Sequence, residues 1–150
     1  MDKRVLALAA ILILIAGMAT VSEYDSGFTK TKDVKVCDMH FKIPKAFKEN
    51  KDLRINGEYL NLGGVGFTTW SKSFDNKQGD FISIAVSSID GVKITNDVVK
   101  LIGSGKKKIT GVKGYEYDTE PFQGFAYAKD GKLITITATH ESVLGTVVAK

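Results

Sequence analysis

Cysteine, histidine, tryptophan and proline are all scarce in this chain. It has a single cysteine, Cys37, two histidines, His40 and His140, one tryptophan, Trp70, and two prolines, Pro44 and Pro121. One cysteine cannot close an intramolecular bridge, so the fold has to be held by a buried core. Two histidines without a cysteine or carboxylate cluster are weak evidence for zinc, and no cofactor is expected. Signatures of phosphate binding and nucleophilic catalysis are missing too. Gly63-Gly64-Val65-Gly66 is glycine-rich, but Thr69 stands where a third spaced glycine would be needed and no Gly-Lys-Ser/Thr follows. It reads as a bend or bulge ahead of Phe67. Asp75–Asp80 has some of the composition of a calcium loop in the wrong order, and no closing glutamate. Gly103-Ser104-Gly105 is too short a match to a nucleophile elbow. These absences argue against an enzyme.

Charge is missing over one long stretch. Val5–Val21 contains no ionisable side chain, and Val5, Leu8, Ile11, Leu12, Ile13, Leu14, Ile15 and Val21 carry its hydrophobicity. Lys3 and Arg4 precede it, while Glu23 and Asp25 follow. A cationic flank stays cytoplasmic, so this order predicts that the C-terminal part is translocated. A helix of about 17 residues at roughly 1.5 Å each spans about 26 Å, near the lower limit for a hydrocarbon core of about 30 Å. Gly17-Met18-Ala19 also suits signal-peptide cleavage after Ala19. Residues 1–21 are therefore a membrane anchor or a signal peptide. Residues 22–34 are a polar spacer, and residues 35–150 an extracytoplasmic domain. The expected location is the cell membrane, single-pass with the domain outside, or the secreted fraction if the run is cut. The formal net charge is +4. Outside a cell, this suits anionic lipid heads, wall polymers or an acidic envelope protein, and it also follows from solubility alone. Export argues against nucleic acid as a partner of Lys106, Lys107, Lys108 and Lys113.

The body alternates with period two, the mark of strands. Over Val36–Ile43, Cys37, Met39, Phe41 and Ile43 share one face, and Asp38, His40 and Lys42 the other. Phe67–Phe74 and Asp80–Ile89 are joined by the polar loop Asp75–Gly79. Lys108–Asp118, Phe122–Ala128 and Lys132–Thr139 form a second meander, whose last turn is centred on Asp130-Gly131. The Thr135, Thr137 and Thr139 face is expected to be solvated. Short helices are predicted from Thr95 to Ile102 and from Glu141 to Ala149. Segregated helices on an antiparallel sheet of about six strands give an α+β domain.

Phe41-Lys42-Ile43-Pro44-Lys45-Ala46-Phe47 resembles the opening of PsbP-like domains. So does the later order: a helix, Gly111-Val112-Lys113-Gly114-Tyr115-Glu116-Tyr117, a strand, Lys129–Thr137 and a final helix. Small exported proteins of methanogenic archaea are similar in layout. The resemblance covers Val36–Lys150. It implies a non-catalytic extrinsic or envelope-support role, and assigns no functional residue.

The candidate residues follow from chemistry. Cys37 and His40 have half of a metal-site spacing, but residues three apart on a strand point to opposite faces. Cys37 thus reads as a small core residue or, failing that, a metal-binding or redox thiol. A secreted metal-binding protein or hydrolase using His40 and His140 is the alternative to a binding module. Trp70, Tyr115, Tyr117, Phe125 and Tyr127 form a candidate partner surface for sugars or protein. Cross-strand core pairing is the competing account of the same residues.

Overall fold

The computed structural model describes residues 30–119 and 121–148. The apolar run, and with it the expected N-terminal helix, lies outside these residues. Among the described residues, no helix is long and apolar enough to cross a membrane. The domain is α+β and mostly antiparallel sheet, with ten strands among the described residues rather than about six.

Thr31–Val36 (β1) and Met39–Pro44 (β2) pair as a hairpin, so Thr31–Val34, read as the end of the spacer, is strand. The alternation over Val36–Ile43 predicts one strand, but the chain reverses at Cys37-Asp38. Both turn residues have positive φ, +48° and +61°, the primed geometry that matches strand twist. Without glycine, each such residue costs about 1 kcal/mol or more. The alternation still holds beyond the turn, with Met39, Phe41 and Ile43 buried and His40 and Lys42 exposed.

The short strand Lys48–Glu49 (β3) and a 3-10 turn at Lys51–Leu53 lead to Ile55–Leu62 (β4), Val65–Asp75 (β5) and Phe81–Ile89 (β6). A one-turn helix, Asn96–Val99 (α1), follows. Then come Gly105–Ile109 (β7), Val112–Thr119 (β8), Phe122–Lys129 (β9), Lys132–Ala138 (β10) and the helix Glu141–Val147 (α2). The run Lys108–Asp118 is interrupted by a second primed turn at Thr110-Gly111. Asp130-Gly131 turns β9 into β10 as predicted.

Eight strands form one antiparallel sheet in the order β3-β5-β6-β10-β9-β8-β7, with β4 beside β5. The β1–β2 hairpin and α2 cover one face. There Met39, Phe41, Ile43, Val143, Leu144 and Val147 pack with Ile82, Ile84, Phe125, Tyr127, Ile134 and Ile136. On the other face α1 brings Val99 to Leu133, Tyr117 and Phe67. Full burial of a large apolar side chain is worth about 1.5–3 kcal/mol, so these two clusters are the main source of stability. The central strands are covered on both sides, and Thr135, Thr137 and Thr139 are buried rather than solvated. Their hydroxyls find partners inside: Thr137 Oγ1 lies 2.6 Å from the Tyr117 hydroxyl, and the Phe81 N–H donates to Thr139 Oγ1.

Gly114 of β8 is a close-approach position, where a Cβ would run into the Ala126 carbonyl oxygen and the Phe125 ring. Backbone cannot move aside as a side chain can. Gly114→Ala should therefore cost about 2 kcal/mol in urea unfolding. A loss below about 0.5 kcal/mol, the range of ordinary surface substitutions, would show the strands relax freely.

Candidate functional site

Trp70 and Lys72 share the β5 face that looks toward the β1–β2 hairpin. The strand partner of Trp70 is Asn56, just before a β-bulge between Asn56 and Glu58. Gly57 makes that bulge at φ +72°, and a Cβ there would sit 2.9 Å from the indole Nε1. Glycine thus lets the β4 backbone close against the edge of the ring. The hairpin turn closes the opposite side. The result is a cavity of about 330 Å³ lined by half-buried Trp70, by Cys37 and Asn56, by the cations Lys35, Arg54 and Lys72, and by the carboxylate Asp38.

Two of these cations have internal partners. Lys35 Nζ lies 3.3 Å from Asp38 Oδ1 in an exposed pair. Arg54 forks onto Glu49, with Nε donating to Oε1 at 2.7 Å and Nη2 to Oε2 at 2.6 Å. That hydrogen bonding holds the Glu49 carboxyl below its usual range against a smaller opposing effect of burial. Lys72 has no ion pair among the described residues, so the cleft carries excess positive charge beside an aromatic face. Burial pushes the Cys37 thiol pKa up, opposed by Lys132 and reinforced by Asp38. A thiol above its ordinary range stays protonated at neutral pH and is a poor nucleophile. Cys37 is neither a strand-core residue nor an activated one. It is a half-buried turn residue on the wall of the cleft.

The other aromatics do not join Trp70. Tyr115 is half-buried on the opposite face of the sheet. Tyr117 is buried, and its hydroxyl also donates to the Ile136 carbonyl at 3.3 Å. Phe125 and Tyr127 are buried with ring centroids 5.5 Å apart. Core and cross-strand packing therefore account for Tyr117, Phe125 and Tyr127.

The histidines are used separately. His40 is exposed on β2 and borders a different cavity with Thr146 and Val148. His140 precedes α2, with Nε2 3.0 Å from Asp80 Oδ1. Asp80 is fully buried, and also accepts from Asn76 Nδ2 at 3.0 Å and Thr139 Oγ1 at 3.4 Å. Among the described residues, no group of at least three His, Cys, Asp or Glu side chains is placed to hold a metal ion. Sequence reasoning missed Asp80. The available signal was a carboxylate set directly against the apolar run Phe81–Val86. It also missed Arg54 and Lys72, which resemble any other surface cations until the hairpin folds over them. No protein-family model, curated protein or solved structure matches this chain.

Proposed function

We propose that this chain is a membrane-tethered extracytoplasmic binding module, non-catalytic, that takes an acidic envelope ligand in the Trp70 cleft. The observation that carries the reading is the cleft itself, where an indole face and cationic groups converge on a cavity of about 330 Å³. Aromatic faces stack on the apolar faces of sugar rings, and guanidinium and ammonium groups recognise carboxylates. A carboxylate-bearing sugar polymer satisfies both. The uncharged Val5–Val21 run supports the tether, and the PsbP-like order of elements supports an envelope role without chemistry. Lys72, which has no ion pair among the described residues, meets the ligand's charge, while Arg54 is pre-oriented by Glu49.

Trp70 is the only tryptophan, so intrinsic fluorescence reads the cleft directly. Titrating the full chain with oligogalacturonate should give a saturable change in emission that a neutral oligosaccharide of equal length does not. Lys72→Gln should weaken that binding about tenfold, the worth of one charge-assisted hydrogen bond. Emission that does not respond to the acidic oligomer, or responds equally to the neutral one, would remove the cleft from the proposal. The tether is tested separately, by an alkaline carbonate wash of membranes. Release of the chain into the supernatant would refute it.

A further inference from the structure

A second charged surface lies on the opposite face of the sheet. In the β7–β8 hairpin, Lys106 stands opposite Tyr115, and Lys108 opposite Lys113. Lys107 points to the other face, where it pairs with Glu141 and, at 3.6 Å, with Glu116. Its neighbours are not neutralised: Lys106, Lys108 and Lys113 are exposed and have no ion pair among the described residues. Like charges directly opposite one another weaken a strand pair, and Lys108 and Lys113 stand in that arrangement.

The segment from α1 to Gly103 borders these lysines. Asn96 Nδ2 donates to the Lys113 carbonyl at 3.1 Å, and the backbone at Gly103 lies against the Tyr115 side chain. Between them, Asn96, Lys106, Lys108, Lys113 and Tyr115 border an open depression of about 450 Å³. Leu101, two residues before Gly103, is 55% exposed, next to the exposed Lys100, with Asp97 as the carboxylate on α1. Lysines on β7 also blunt an edge strand against aggregation, but that role accounts for neither Lys113 on β8 nor the exposed Leu101.

We infer that this face docks on an anionic lipid surface. Lipid phosphates neutralise Lys106, Lys108 and Lys113, and Leu101 enters the boundary between headgroups and acyl chains. A soluble anion has no use for an exposed leucine, whereas a bilayer accommodates one on the side of the domain that carries the lysines. The inference leans on the proposed tether, which would keep the domain within reach of the bilayer. Docking would fix its orientation and leave the Trp70 cleft, on the opposite face, turned to solvent.

The test is lysine acetylation read by mass spectrometry on the full chain, reconstituted in phosphatidylcholine vesicles with or without phosphatidylglycerol. Acetylation of Lys106, Lys108 and Lys113 should fall about fivefold or more in the anionic vesicles, with Lys51 and Lys77 as unchanged exposed controls. High salt should restore it. Leu101→Ser should reduce the protection without changing the fold. Equal reactivity in both vesicles would overturn the inference and leave these lysines to edge protection. The same protection by inorganic phosphate without anionic lipid would overturn it in favour of a free anion. A failed tether is visible independently as release by carbonate, while the footprint still reports on docking of the released chain added to vesicles.

Discussion

Replacing Asp80 with alanine is expected to lower stability by about 3 kcal/mol, read as a shift of the urea midpoint at constant slope. The carboxylate is fully buried just before β6, and accepts hydrogen bonds from Asn76, 4 residues back, and from Thr139 and His140, 59 and 60 residues on. Asn76 belongs to the β5–β6 loop, while Thr139 and His140 lie where β10 runs into α2. Asp80 thus fastens the first meander to the last helix at one end of the sheet. Alanine removes the shared acceptor and leaves a polar pocket where water enters poorly. Asp80→Asn keeps shape and one carbonyl acceptor, so its loss should be smaller. A loss under about 1 kcal/mol for the alanine variant would mean the surrounding donors re-pair, and the cluster is dispensable.

The second large effect is alkaline. Burial raises the Tyr117 phenol far above its ordinary value of 10.0, only partly offset by its hydrogen bonds to Thr137 and Thr135. The folded chain therefore keeps that proton at a pH where the unfolded chain gives it up. A group raised in this way contributes stability that is complete below the unfolded pKa and lost as pH climbs toward the folded one. Stability should fall by about 1.4 kcal/mol per pH unit above about 10. Lys107, raised chiefly by the hydrogen bond it donates to Glu141, acts in the same direction, but its partial exposure makes the contribution small. Tyr117→Phe should cost about 1 kcal/mol at neutral pH for the lost hydrogen bond, and then show a flatter decline between pH 10 and about 12. Parallel declines for the two proteins would place the alkaline sensitivity elsewhere.

Period-two alternation was readable for most of the sheet, because the hydrophobic sets of β2, β6 and β10 repeat without interruption. What alternation cannot show is where a chain turns back on itself. The alternation of Cys37, Met39, Phe41 and Ile43 continues through the turn, so the run reads as one strand when no glycine marks the reversal that brings Val36 and Met39, three apart, to the same core. The Asp130-Gly131 turn carries it and was legible. Thr110-Gly111 carries it too, but sits inside a run whose lysines and valines suit a continuous strand. The buried threonines of β10 were misjudged for another reason. Threonine tolerates both water and a dry pleat, and only the hydroxyl of Tyr117 and the cover of α1 decide between them. Trp70 and Cys37 each stood out as the only residue of its type. Their meeting in one cleft depends on a hairpin folding across the sheet, which local sequence does not encode.

The order of the strands also bears on how the domain assembles. The β4–β5–β6 and β7–β8–β9–β10 meanders are each made of hairpins between sequence neighbours, so each can form by closing short loops. Only the β6–β10 seam, with Ala138 opposite Ile82, joins them over a long separation. Formation of that seam is the entropically expensive event. It aligns strands buried on both faces, where a slip of one residue would exchange the isoleucine and hydroxyl surfaces. The domain is in this sense two local ribbons and one decisive zipper.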